Sequence, residues 1–161
     1  GVRDLGCCPS PFDSYLMTLG LETLSLRVRH EVESARRLAE YCRNHPKVER
    51  VSFVGFESHP SYANAKKYFR FGSSAVFTIE LKGTLDSTVR FVESLNLAAH
   101  MVMIGDSVTV VTHPASTTHK QLGDADLAAA GVTPTMLRIS VWLENTDDLI
   151  DDFEQAFAHI G

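Results

Sequence analysis

Long hydrophobic runs are missing from this sequence: no apolar stretch approaches the roughly 18 residues that a membrane-spanning helix requires. A basic excess is missing too, with 15 Lys and Arg against 20 Asp and Glu and a formal net charge of -5. That balance argues against a nucleic-acid partner, which needs a cationic face to displace counterions. Cysteine is scarce, at three residues. Cys7 and Cys8 are adjacent and Cys42 stands alone, so there is no CxxC pair, zinc-ligand spacing or even-numbered disulfide framework. Free thiols fit a reducing compartment, and a cytoplasmic location without a membrane partner is expected. No signal-peptide pattern is present, and neither common Gly-rich phosphate loop occurs. His113 and His119, six apart, fit neither a one-turn helical metal pair nor an HExxH site. The acidic start at Asp147 and Asp148 lacks the ligand spacing and mid-loop glycine of a calcium loop, which leaves helix-dipole compensation as its role.

What remains is an ordinary folded composition, 44% hydrophobic and 22% charged. A single domain of this length should bury roughly 70% of the surface its unfolded chain exposes. From Phe12 to Asn44 the pattern predicts one long helix, with Leu21, Leu24, Val28, Val32, Ala35, Leu38 and Cys42 as an apolar stripe, of which Leu24, Val28, Ala35 and Leu38 should face a sheet. His45-Pro46 stops it. Arg27, Arg29, Arg36 and Arg37, interleaved with Glu31, Glu33 and Glu40, read as a salt-bridged solvated face. Strands are predicted over Val48 to Val54 and Ser74 to Leu81, with short helices over Tyr62 to Tyr68, Asp86 to Leu95 and Asp124 to Ala130. Two short strands, Ala98 to Ile104 and Val108 to Thr112, flank a turn signal at Gly105-Asp106. A last helix capped by Thr146 carries Leu149, Ile150, Phe153, Phe157 and Ile160 on its apolar side. Helices interspersed with short, turn-linked strands predict an α+β domain: a mostly antiparallel sheet with helices on one side.

One residue stands out in this frame. In Leu137-Arg138-Ile139-Ser140-Val141 the pleat puts Leu137, Ile139 and Val141 on one face and Met136, Arg138, Ser140 and Trp142 on the other. Arg138 is therefore either a solvated strand residue or an anion clamp. In a cleft its planar fork matches a carboxylate bidentately, which suits the orientation of an amino-acid substrate.

The blocks around it extend over essentially the whole chain. Ser10-Pro11-Phe12, Gly20-Leu21-Glu22-Thr23-Leu24-Ser25-Leu26-Arg27, His45-Pro46-Lys47-Val48, Ser58-His59-Pro60 and Ala65-Lys66-Lys67-Tyr68 precede the segment His113-Pro114-Ala115-Ser116-Thr117-Thr118-His119. Gly131-Val132-Thr133-Pro134, the Arg138 strand and Glu144-Asn145 follow. In order and approximate spacing these blocks resemble the C-terminal part of the pyridoxal-phosphate enzymes of Cys/Met metabolism, and among them the O-acetylhomoserine sulfhydrylases.

The resemblance implies the small C-terminal domain of a fold-type I pyridoxal-phosphate enzyme, usually a homotetramer. It implies γ-replacement on O-acetylhomoserine, with sulfide or a thiol giving homocysteine or methionine. Arg138 would then bind the α-carboxylate of the amino-acid substrate, with Ser116, Thr117, Thr118 and His119 shaping the pocket. The Schiff-base lysine and the phosphate-binding loop of the family belong to a larger N-terminal domain. Neither can be placed here. The chain opens Gly1-Val2-Arg3 without a methionine, and it is expected to be a C-terminal fragment that alone catalyses nothing. Two departures bear on the substrate. Met103-Ile104-Gly105-Asp106 stands where the sulfhydrylases usually have Asn-Val-Gly-Asp, and Trp142 stands where they usually have glycine. Two other readings remain open: a cystathionine γ-synthase or γ-lyase-like parent, and a stand-alone α+β ligand-binding module.

Overall fold

A computed structural model of the chain describes residues 2–6, 8–105 and 107–160. Cys7 and Asp106 lie outside the described residues. In chain order the elements are α1 (Val2–Leu5), α2 (Pro11–Glu22), α3 (Leu24–Asn44), β1 (Val48–Ser52), α4 (Tyr62–Tyr68), β2 (Val76–Leu81), α5 (Leu85–Glu93), β3 (Ala99–His100), β4 (Val110–Thr112), a 3-10 turn (Pro114–Ser116), α6 (Asp124–Ala129), β5 (Met136–Ser140) and α7 (Thr146–Ala158). The strands form one sheet in the order β1-β2-β5-β4-β3. The β1-β2, β2-β5 and β5-β4 pairs are antiparallel, and only β3 runs parallel to its neighbour β4. This is the α+β architecture expected from the element pattern.

Strand alternation builds the core. Phe77, Ile79, Leu81, Val111, Leu137 and Ile139 are buried on one face of the sheet. They join Ala35, Leu38, Ala39 and Cys42 of α3, Phe91 and Val92 of α5, and Leu149, Phe153, Ala156 and Phe157 of α7 in one cluster. Phe91 packs against Phe153 and Phe157 with centroids 5.6 and 4.7 Å apart, so aromatic contacts tie α5 to α7. Burial in this cluster pushes the Cys42 thiol up, which leaves it a packing residue rather than a nucleophile.

Polar groups fasten the ends of these elements. The buried Asp152 carboxylate on α7 accepts the backbone N–H groups of Asn96, Leu97 and Ala98 at 2.7, 3.0 and 2.9 Å. It thereby satisfies the turn that delivers β3 to the sheet edge. Lys47 donates its ammonium to the carbonyls of Phe157 and Ile160, 2.7 and 2.5 Å away. A cation at those carbonyls complements the negative end of α7.

Four expectations are corrected. The long N-terminal helix is broken at Thr23 into α2 and α3, and its apolar stripe does not face the sheet along its whole length. Leu21, Leu24 and Val28 are 64%, 41% and 40% exposed, and buried positions begin only at Glu31. A helix of 21 residues rises roughly 30 Å, so α3 overhangs the sheet and only its C-terminal half finds apolar partners. Glu31, expected in solvent, is itself buried, and one of its carboxylate oxygens has no hydrogen-bond partner. The segment from Ala98 to Thr112 is not a hairpin: β3 has two residues and pairs in parallel with β4, and residues 101–105 form an exposed loop. Gly105 does adopt the left-handed backbone of a turn, at φ 72°. Finally, Asn145 rather than Thr146 caps α7, accepting the Asp147 N–H at 2.8 Å. The Thr146 hydroxyl instead turns inward and donates to Ser34 at 2.9 Å, joining α7 to α3.

Candidate active site

The face of the sheet opposite the core carries a row of polar residues. Register places Ser52 of β1 beside Thr78 of β2, Thr78 beside Arg138 of β5, and Arg138 beside Thr112 of β4. Directly opposed residues of adjacent strands hold their Cβ atoms about 5 Å apart. Arg138 is thus flanked by hydroxyls on both sides, on the central strand.

Its guanidinium is only partly satisfied. Nη2 donates to the Met103 carbonyl and to Thr112 Oγ1, each at 3.3 Å. Nε is buried and has no partner. Among the described residues no carboxylate pairs with Arg138. A buried donor left unsatisfied costs about 1–3 kcal/mol, and a carboxylate reaching this point would accept from Nε and an Nη together. The geometry therefore provides a cationic fork with an open place for an anion.

The loop from Met101 to Gly105 hangs over this row. Thr112 Oγ1 donates to the Met101 carbonyl at 2.5 Å, Gly105 N–H donates to Ser140 Oγ at 3.4 Å, and the Met103 carbonyl takes the arginine bond. Met103 therefore reaches Arg138 through its backbone, while its thioether side chain stays exposed.

The Ser/Thr-rich loop is tied mainly to itself and to the end of the sheet. His113 is buried, with Nε2 2.9 Å from the Pro134 carbonyl and Nδ1 2.8 Å from Ser116 Oγ. A carbonyl only accepts, so Nε2 donates to Pro134, and with both ring nitrogens engaged the ring is a structural strut. Thr117 donates to the His113 carbonyl at 2.7 Å, and Thr118 Oγ1 lies 2.8 Å from His119 Nδ1. Ser116 and Thr117 line a cleft of about 260 Å³ with His113 and residues of α5. Among the described residues no hydrogen bond joins Ser116, Thr117, Thr118 or His119 to Arg138. Trp142 is half-buried just past β5, its backbone N–H donating to Thr109 Oγ1 at 3.0 Å. Of the residues singled out in the sequence, the structure brings Arg138 and Met103 together, and it adds Thr112, Thr78 and Ser52. Those three escaped sequence reasoning because strand register is not legible in a single sequence.

A family model described as Cys/Met metabolism PLP-dependent enzyme matches residues 2–158. The chain belongs to that family. Within the family it is 45% identical over 155 residues to the homocysteine synthase of Schizosaccharomyces pombe, an alignment covering 96% of this chain and 36% of the relative. It is 42% identical over 158 residues to O-acetyl-L-homoserine sulfhydrylase 1 of Thermus thermophilus, covering 98% of this chain and 38% of that protein. Among solved structures it superposes with a TM-score of 0.86 and 35% identity on a Campylobacter jejuni protein assigned as an O-acetylhomoserine (thiol)-lyase, whose crystal structure contains N′-pyridoxyl-lysine-5′-monophosphate. That superposition covers 98% of this chain and 37% of the other. The chain thus spans little more than a third of the length of these relatives.

Proposed function

We propose that this chain is the C-terminal, substrate-facing domain of a pyridoxal-phosphate-dependent O-acetylhomoserine sulfhydrylase. The whole protein would be a cytoplasmic aminocarboxypropyltransferase, assembled as a homotetramer, that makes homocysteine or methionine from O-acetylhomoserine and sulfide or a thiol. The observation that carries the reading is the Arg138 fork, with its buried Nε unpaired. Membership in the family and relatives named as homocysteine synthase and O-acetyl-L-homoserine sulfhydrylase support the choice of substrate.

The donor set suits a substrate carboxylate, while the lysine that holds the cofactor is assigned to an N-terminal domain, in the part of the relatives that this chain does not span. Lys47, the half-buried lysine, is already committed to two carbonyls at the end of α7. When bound, pyridoxal phosphate serves as the electron sink that lets acetate leave and sulfur take its place. Arg138 fixes the amino acid by its α-carboxylate, and Thr112 Oγ1 and the Met103 carbonyl, which accept from Nη2, hold the guanidinium in place. Holding one end of the substrate rigidly lowers the entropy cost of aligning the reacting carbon. Ser116, Thr117, Thr118 and His119 shape the rim, and Met103 and Trp142 tune which acyl group is accepted.

The test is homocysteine formation by the full-length protein from O-acetylhomoserine and sulfide. Arg138→Ala should lower kcat/KM by an amount equivalent to about 2–5 kcal/mol, because it leaves a carboxylate unpaired in a partly desolvated site. Unaltered kcat/KM in that variant would remove Arg138 from the site. Trp142→Gly should reorder kcat/KM among acetyl, succinyl and phospho esters of homoserine. If the ranking stays the same in a folded variant, Trp142 is a packing residue.

A further inference from the structure

Away from the Arg138 face, α3, α4 and the 69–73 loop enclose a cleft of about 290 Å³ that the proposed reaction does not use. Its polar side chains are Arg36, Tyr62, Lys66, Arg70 and Ser73, and no aspartate or glutamate lines it, although acidic residues outnumber basic ones in the chain. Arg36 is already neutralised, held by Glu33 at 2.6 Å and Glu40 at 2.7 Å. Lys66 and Arg70 are not: neither has a counter-ion or hydrogen-bond partner among the described residues. The Tyr62 and Ser73 hydroxyls likewise make no hydrogen bond there. Two unpaired cations and two idle hydroxyls therefore share one small cleft, and nothing in its lining neutralises the pair.

The cleft is shaped in advance. Gly72 sits at φ 137°, and a Cβ there would lie 2.5 Å from Val32 Cγ1, so only glycine lets the loop press onto α3. Tyr62 and Phe69 put aromatic side chains in the lining. Two unpaired positive charges match the near-dianion of a phosphate monoester better than the single charge of a carboxylate, and three phosphate oxygens can use the extra hydroxyl donors. Aromatic walls favour a flat apolar body attached to that phosphate.

We propose that this cleft binds an aromatic phosphate monoester, with Lys66 and Arg70 on the phosphate and Tyr62 and Phe69 against the ring. This site is separate from the substrate site at Arg138 and does not depend on the reaction assigned there.

Phenyl phosphate is a suitable probe, titrated by calorimetry into the full-length protein loaded with pyridoxal phosphate, so that the cofactor's own phosphate site is filled. Saturable binding is expected, at least about tenfold weaker after the double change Lys66→Gln and Arg70→Gln, since both phosphate-pairing cations are lost. Arg138→Ala should leave it untouched. The two altered side chains are exposed, and an unchanged melting temperature will confirm that the double variant is folded. Absence of saturable binding, or equal affinity in the double variant, would overturn the proposal. Inorganic phosphate binding as tightly as phenyl phosphate would overturn the aromatic class. Loss of phenyl phosphate binding in Arg138→Ala would relocate the site to the substrate pocket and equally defeat it.

Discussion

The two faces of the sheet are made by the same strands, one residue out of step, and they do opposite things. On one, Phe77, Ile79, Val111, Leu137 and Ile139 are sealed beneath α3, α5 and α7. On the other, Ser52, Thr78, Arg138 and Thr112 stand in a row, with an unsatisfied guanidinium nitrogen at its centre. The first face lowers the free energy of the fold through burial of apolar area. The second tolerates an unpaired buried donor, which costs stability as long as nothing pairs with it. If Arg138 holds the substrate as proposed, the pleat separates stability from recognition, and substitutions on the two faces should have separable effects.

The largest expected effects set these faces against each other. Leu38→Ala on α3, where the leucine is fully buried, should destabilise the fold by about 2–5 kcal/mol through lost contacts and a residual cavity. Arg138→Ala should cost a similar amount in kcat/KM while moving the denaturation midpoint little. An unchanged midpoint for Leu38→Ala, or a collapse of the fold in Arg138→Ala, would break the separation.

A smaller effect comes from Glu31, the one acidic side chain of α3 that faces inward. Burial pushes its carboxyl above the ordinary carboxylate range, against the weaker opposing pull of Arg27 and His30. The folded chain therefore holds this proton more tightly than the unfolded one. The stability it contributes is fully present below the unfolded value and is lost as pH rises through the raised folded value. Glu31→Gln should stabilise the chain at neutral pH by about 1 kcal/mol, and it should flatten that part of the pH profile. Denaturation curves at acidic and neutral pH that leave the difference between wild type and variant constant would show that Glu31 finds a partner.

The smallest effect is expected at Leu24, on the overhang of α3. Its replacement by alanine should change the stability of the 161-residue chain by less than about 0.5 kcal/mol, because an exposed side chain loses little burial. A loss as large as that of Leu38→Ala would place the overhang in the core after all.

Much of this was readable before any coordinates. The inward residues of α7, the glycine that ends α6 at Gly131, and the alternation around Arg138 follow from periods of 3.6 and 2 and from local turn chemistry. The resemblance in sequence blocks pointed to the family that the comparisons show. The overhang of α3 was less legible, since a continuous apolar stripe looks the same whether it meets a sheet or projects past it. The hairpin expectation failed for a related reason: a turn signal at Gly105 reports a local bend, not which strand the chain pairs with afterwards.

By itself the sequence determined the element types, the α+β class, the family and Arg138 as the cation to watch, because each rests on local periodicity or on residues in fixed order. Only the tertiary structure decided that β3 runs parallel to β4, that Thr112 and Thr78 flank Arg138, that the Met103 carbonyl reaches its guanidinium, and that Nε is left without a partner. Those facts depend on register and on contacts between segments as many as 60 residues apart, such as the β2-β5 pairing of Thr78 with Arg138. A strand slipped by two residues still turns its apolar side inward, so local pattern alone cannot choose between such alignments, and the choice is made only when all the elements pack at once.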